Sequence, residues 1–191
     1  MPRRILVING HPDPHPERFA AALADAYVRG ASSAGHQIRR LDVGALDFPL
    51  IRSEAEFMAP PPAPIRDAQG AVAWADHLVI IFPLWLGGAP AALKAFLEQV
   101  FRYGFALNPP GQAMKGLLAG RSARLVVTMG MPALVFRGIS GAFGVRSLER
   151  GLLWLCGVSP IRHSVLGGVG GPGSRRAKWL LDVQALGRAA S

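Results

Sequence analysis

The first apolar run, Arg4 to Asn9 (RILVIN), is rich in β-branched residues and ends in Gly10-His11-Pro12, which predicts a buried strand leaving into a loop. From Glu17 to Ala34 the period changes. Phe19, Ala20, Leu23, Ala26, Tyr27 and Ala31 recur mostly at three- and four-residue steps and Gly35 follows as a terminator, so the stretch is predicted to be a helix. Gln37 to Asp42 (QIRRLD) is a more polar strand, as an outer strand of a sheet would be. Val43 to Pro64 is predicted to be irregular, because Pro60, Pro61, Pro62 and Pro64 exclude regular structure. Loops of that length are often functional.

Ile65 to Trp74 predicts a short helix, and His77 to Pro83 (HLVIIFP) is the most hydrophobic strand, buried on both faces and therefore central. Ala89 to Val100 follows as a helix with Pro90 in its first turn. Leu125 to Thr128 makes a fourth strand, Leu148 to Cys156 a fourth helix, Ile161 to Leu166 a fifth strand and Arg175 to Leu186 a closing helix. Five alternating units predict an α/β protein with a parallel sheet. Such sheets bind ligands beyond the carboxyl ends of their strands, so the loops after Asn9, Pro83 and Thr128 are where chemistry belongs. With no internal repeat or linker, the 191 residues read as one domain spanning 1–191.

Composition narrows the class. Half of the residues are hydrophobic, 17% are charged and the mean hydropathy is +0.27, which is the composition of an ordered chain. A single cysteine, Cys156, excludes an intramolecular disulfide, and the N-terminus carries no secretory pattern, so a cytoplasmic protein is expected. Arg3-Arg4 is followed by only Ile5 to Ile8 before Asn9, too little for a twin-arginine signal. The longest uncharged stretch, Leu78 to Leu93, is broken by Pro83, Gly87, Gly88 and Pro90 and is too short for a bilayer, so no membrane insertion is expected. The net charge of +9 attracts anions. Its basic residues are scattered, the densest clusters being the pairs Arg3-Arg4, Arg39-Arg40 and Arg175-Arg176, without interleaved aromatics. Nucleic acid, acidic lipid and phosphorylated cofactors are all candidates for such a surface; nucleic acid is the weaker use of the charge, and no nucleic-acid partner is expected.

Several motifs fail on context. Gly168-Val169-Gly170-Gly171-Pro172-Gly173 matches G-x-G-x-x-G between a strand and a helix, but a dinucleotide fingerprint needs a further strand and an acid about 20 residues on. The residues up to Ser191 supply neither. No P-loop occurs, and Gly138-Ile139-Ser140-Gly141-Ala142 lacks the second glycine of a hydrolase elbow. His11 and His15 are four apart, yet Pro12, Pro14 and Pro16 prevent the helix that a zinc pair needs, so no metal centre is expected.

Three loops remain informative. Gly10 to Phe19 leads to a helix N-terminus, where free N–H groups favour a phosphate and His11 can donate to it. Pro83-Leu84-Trp85-Leu86-Gly87-Gly88-Ala89-Pro90 puts an aromatic and two glycines at the end of the central strand, suited to a flat ring against backbone. In Thr128-Met129-Gly130-Met131-Pro132, Gly130 lets N–H groups approach ring heteroatoms. Each also has a plain reading: a proline-rich turn, a strand end packed under a helix, and a turn.

His11 after the first strand, Pro83-Leu84-Trp85 with Gly87 and Pro90 followed by Leu93-Lys94 and Phe96, and Thr128 with Gly130 together resemble the flavodoxin-fold NAD(P)H:quinone oxidoreductases, the DT-diaphorase-like family. The resemblance covers nearly the whole chain, and its most specific part is the Pro-Leu-Trp segment with the helix after it. It implies a flavodoxin-like, doubly wound, five-stranded parallel sheet, a bound FAD or FMN, NADH or NADPH as donor, a quinone-like acceptor reduced by two-electron ping-pong hydride transfer, and a homodimer. It further implies that the His11 loop, with Arg18, and Phe19 flank the flavin's phosphate side, that Pro83, Leu84, Trp85 and Leu86 lie along the isoalloxazine, that Thr128 and Gly130 reach its pyrimidine edge, and that Ala20 and Met131 also bind the cofactor. No catalytic side chain is assigned.

Two departures accompany the resemblance. Members of the family carry a tyrosine and a histidine after the fourth strand, where Phe136 and Phe143 stand here, and neither phenylalanine can donate a hydrogen bond. The cofactor can still accept the hydride. The family also tends to place further aromatics where Leu86 and Gly87 stand. A flavin-binding ancillary subunit with little turnover is the alternative reading.

Overall fold

The computed structural model describes residues 1–132, 142–171 and 173–191. Its five strands are β1 (Arg4–Asn9), β2 (Gln37–Asp42), β3 (His77–Pro83), β4 (Ser122–Met129) and β5 (Ile161–Gly167). They pair in parallel in the order β2-β1-β3-β4-β5, with β3 in the middle. The register sets Asn9 beside Asp42 and Ile81, and Pro83 beside Thr128. The loops leaving β1, β3 and β4 are therefore neighbours.

Period-two alternation sends successive side chains to opposite faces of the sheet. Leu6, Ile8, Leu78, Ile80, Phe82, Leu125 and Val127 pack with α3 (Ala63–Trp74) and α4 (Ala91–Val100). Ile5, Val7, Val79, Ile81 and Val126 pack with α1 (Phe19–Ser33) and α6 (Gly173–Ala189). A sheet covered on both faces needs continuous apolar strands, which is why β3 and β4 are buried along nearly their whole length. At the edge, β2 keeps its polar residues partly exposed.

The structure corrects several sequence expectations. The segment from Val43 to Pro64 is not wholly irregular: Val43–Ala45 forms a 3₁₀ turn and Glu54–Met58 a short helix, α2. Ser53 Oγ accepts from the Glu56 N–H at 3.2 Å while the Glu56 carboxylate accepts from the Arg52 N–H at 2.7 Å, a variant of the capping box hidden among the prolines. Pro64 falls in the first turn of α3, where its missing N–H costs nothing. β4 begins at Ser122 because β3 on one side and β5 on the other pair its polar start as well. The helix expected over Leu148–Cys156 starts earlier, as α5 (Phe143–Leu148), and continues as a π-helical segment through Trp154, so Cys156 lies in the turn beyond it.

The long segment is held from α4. Gln99 Nε2 donates to Pro49 O at 2.6 Å, and Arg102 Nη1 donates to Ala59 O at 2.6 Å, with Glu56 O and Phe57 O farther away. Arg102 is buried, and that burial lowers its pKa from the ordinary arginine value.

Candidate functional site

The first loop leaves β1 through a polar network. Asn9 is buried and its Nδ2 donates to Asp42 Oδ1 at 2.8 Å, while Arg40 forks onto the same carboxylate. Burial pushes the Asp42 pKa up, but the bonds from Arg40 and Asn9 outweigh it and the net direction is down. Asn9 Oδ1 also accepts from the His11 N–H at 3.3 Å. The 3₁₀ turn packs against this loop so closely that a Cβ on Gly44 would lie 2.4 Å from Pro12 O.

His11 Nδ1 lies 3.0 Å from Asp13 N and 3.1 Å from Asp13 O, which holds the ring against the Asp13 backbone. Asp13 accepts from the His15 N–H at 2.9 Å and from Arg18 Nε at 2.6 Å, and those two bonds hold its carboxyl below the ordinary range. Arg18 thus spends its guanidinium inside the loop. It is also the N-cap of α1, and its side chain does not cap the helix. The first turn of α1 holds no acid, so its N-terminal N–H groups face outward with a partial positive charge. Ala20 is buried, so only its backbone can serve a ligand.

The second loop is a tight hairpin. Trp85 and Gly88 exchange both backbone hydrogen bonds at 2.9 Å, with Leu86 at φ 47° and Gly87 at φ 83° between them. Glycine suits such a turn; leucine does not. Leu86 is fully exposed in this strained conformation, and Trp85 is 50% exposed, so neither side chain is a core residue. Pro83 and Leu84 are half-buried, and Leu84 N–H donates to Thr128 O at 2.7 Å, tying the second loop to the third. The indole of Trp85 meets the His11 ring edge-on, with centroids 5.9 Å apart. Behind the hairpin, α5 approaches so closely that a Cβ on Gly144 would stand 2.0 Å from Gly87 O, which brings the exposed Phe143 beside the second loop.

Thr128 is buried, whereas Gly130 and Met131 are exposed at the mouth of the third loop. A fourth loop, absent from the sequence reading, joins them. Gly168 N–H donates to Met129 O at 2.9 Å and Met131 O at 3.0 Å, so the glycine-rich turn rejected as a dinucleotide fingerprint is a structural part of this edge. Just after it, the Arg176 guanidinium sits 5.6 Å over the Phe19 ring and donates to Val169 O, and Trp179 packs against Phe19 at 6.2 Å. The only sequence signal for this contribution was the pair Arg175-Arg176 itself.

The sheet therefore presents, on one edge, an exposed indole, a strained apolar turn, unobstructed backbone at Gly88 and Gly130, and an uncapped helix N-terminus flanked by Arg176. Residues 3–186 match the family described as flavodoxin-like fold. The chain belongs to this family. Within the flavodoxin-like fold, the strand order and the three convergent loops are the arrangement in which a flat cofactor rests at the β1–β3 switch point. A ribosyldihydronicotinamide dehydrogenase-like protein of Penicillium crustosum is 29% identical over 168 residues, 72% of this chain; the chain spans 62% of that protein's length. An FMN-dependent NADH:quinone oxidoreductase of Nitratidesulfovibrio vulgaris is 29% identical over 208 residues, covering 93% of this chain and 94% of its own. The NAD(P)H:quinone oxidoreductase of Methanothermobacter marburgensis shares the fold with a TM-score of 0.83, at 24% identity and full coverage of both chains.

Among the described residues no cluster of histidine, cysteine and acidic groups could hold a metal ion, and no helix is long and apolar enough to cross a membrane. Two surface clefts lie away from the three loops, one of about 490 Å³ beside Trp154 and one of about 440 Å³ beside Arg102. Phe136 and the elbow-like segment 138–141 lie outside the described residues. Burial pushes the Cys156 thiol up to about 11, which makes it unreactive.

Proposed function

We propose that the protein is a flavin-dependent NAD(P)H oxidoreductase that reduces quinones or similar flat electrophiles, with His11, Arg18, Phe19, Ala20, Pro83, Leu84, Trp85, Leu86, Thr128, Gly130 and Met131 at its flavin. The observation that carries this reading is the convergence of the three loops on an exposed Trp85 beside the uncapped α1 N-terminus. FMN fits the reading first, since a relative aligned along nearly its whole length is named as FMN-dependent.

A bound flavin supplies the hydride chemistry, accepting from NAD(P)H and passing two electrons to the acceptor. The chain's own task is to bind and orient. The α1 N–H groups and Arg176 hold the phosphate end through charge-assisted bonds. Trp85 and Leu86 form an apolar wall for the ring, and the N–H groups around Gly130 approach its heteroatoms. His11 buttresses Trp85 and offers a ring N–H to an anionic oxygen. Donor and acceptor then use one open face in turn, a ping-pong order.

In this reading the working assembly is a homodimer, with a second copy of the chain beside the exposed Trp85 and Leu86. The surface charge of +9 draws in dinucleotide phosphates and not nucleic acid, and the protein works in the cytoplasm. A second reading, an ancillary flavin-binding subunit with slight turnover, is favoured by one observation: Phe143, beside the second loop, has no group with which to share a proton. Two measurements decide. Purified protein incubated with FMN or FAD and freed of excess should retain a flavin absorbance spectrum, and a colourless protein overturns the assignment. Rapid menadione-dependent NAD(P)H oxidation excludes the ancillary role, and its absence in flavin-loaded protein excludes the enzyme.

A further inference from the structure

The opposite end of the sheet carries a second polar cluster, on the face covered by α1 and α6. His77 lies beside Ser122 in the register, and Arg124 lies beside Arg162, so these four side chains share one face near the amino ends of β3, β4 and β5. Arg3 Nη2 donates to Ser122 Oγ at 2.9 Å, and Ser122 Oγ lies 2.8 Å from His77 Nδ1. The ring's Nε2 is buried without a partner, as are Arg124 Nε and the Tyr27 hydroxyl. His77 is 2% exposed.

A cleft of about 140 Å³ beneath the end of α6 is lined by Arg3, His77, Ser122 and Arg162, with Ala190 and Ser191 beside them. Among the described residues no carboxylate side chain lines it. Asp76, the nearest acid along the chain, is taken by Arg4, and Ala190 O is taken by Arg3 Nη1. Buried donors without acceptors are costly, and several cations around one cleft repel one another, so the cluster calls for a negative charge.

We infer that this cleft binds a small tetrahedral oxyanion of the phosphate or sulfate class, held by Arg3, Arg162 and the imidazole of His77. Since a water molecule takes up about 30 Å³, the cleft has room for such an ion with its remaining hydration. The site is independent of the flavin reading, because it lies at the other end of the strands. Its burial and the charges of Arg3, Arg124 and Arg162 push His77 down to about 4; a bound anion reverses that repulsion and raises it.

The test follows the His77 ring resonances by NMR in the full chain titrated with potassium phosphate, against potassium chloride at matched ionic strength. The expected result is a saturable shift with phosphate alone, together with a rise in the His77 pKa. The exposed edge-strand variant Arg162→Gln should weaken phosphate binding about tenfold, the loss of one charge-assisted bond. Arg29→Gln, which removes the same charge from an exposed position on α1, should leave it unchanged. Reading His77 itself separates this site from phosphate held near α1. An equal response to chloride, or equal weakening in the two variants, overturns the inference, and the wild-type titration alone does so if the shift never saturates.

Discussion

The His11 imidazole stands edge-on to the Trp85 indole, with ring centroids 5.9 Å apart and planes at 82°. This contact joins the loops after β1 and β3 across the β1–β3 boundary, where the two strands are hydrogen-bonded neighbours. It orients the indole without burying it.

Trp85→Ala should therefore leave the fold intact and weaken flavin binding by about 1 kcal/mol, roughly fivefold in Kd, the value of one aromatic contact. Were Trp85 a core residue, the same change would cost about 3 to 5 kcal/mol of stability and spare the affinity. The unfolding midpoint of the apoprotein and the flavin Kd, measured on the same variant, separate the two.

Leu86 holds φ at 47° with its side chain wholly in solvent, so it is strained without any packing to offset the strain. Leu86→Gly should raise stability by up to about 1 kcal/mol in denaturant unfolding. If Leu86 lines the isoalloxazine, flavin affinity or the KM for quinone should worsen in the same variant. Unchanged binding and turnover would remove it from the site.

Arg176 covers the Phe19 ring beside the α1 N-terminus. Arg176→Gln should weaken FMN binding about tenfold, with a shallower salt dependence, while riboflavin, which lacks the phosphate, binds as before. Equal losses for the two flavins would mean that Arg176 supports packing and not the phosphate.

His77 is held near 4 first by burial and then by the neighbouring arginines. An unfolded histidine titrates near 6.5, so the unfolded chain binds a proton that the folded one refuses between those values. The contribution is complete above about pH 6.5 and is lost as pH falls towards 4, by up to about 3 kcal/mol. In chloride buffer, His77→Gln should flatten the fall in unfolding free energy across that window. A fall as steep as in the wild type would show that other groups carry it.

Local pattern made most of the fold legible. The limits of β1, β2 and β3 follow from where β-branched apolar runs meet Gly, Pro or charge, and the central place of β3 follows from having no polar residue between Leu78 and Phe82. The start of β4 was not legible, since Ser122-Ala123-Arg124 has no strand character until two neighbours pair with it. Helix α2 was hidden for the opposite reason: the prolines around it are strong local signals, while the Ser53–Glu56 cap that overrides them is short.

The sequence by itself determined the α/β alternation, the parallel sheet and the three loops at the carboxyl edge of its strands, because these depend on periodicity and on residues adjacent in the chain. Only the tertiary structure decided that Arg176 and Trp179 reach Phe19, that a glycine-rich turn braces the third loop, and that His77, Ser122, Arg3 and Arg162 line one cleft. Those contacts join residues from about 40 to 160 positions apart. Parallel pairing alone sets such distances, and no local window of sequence contains them.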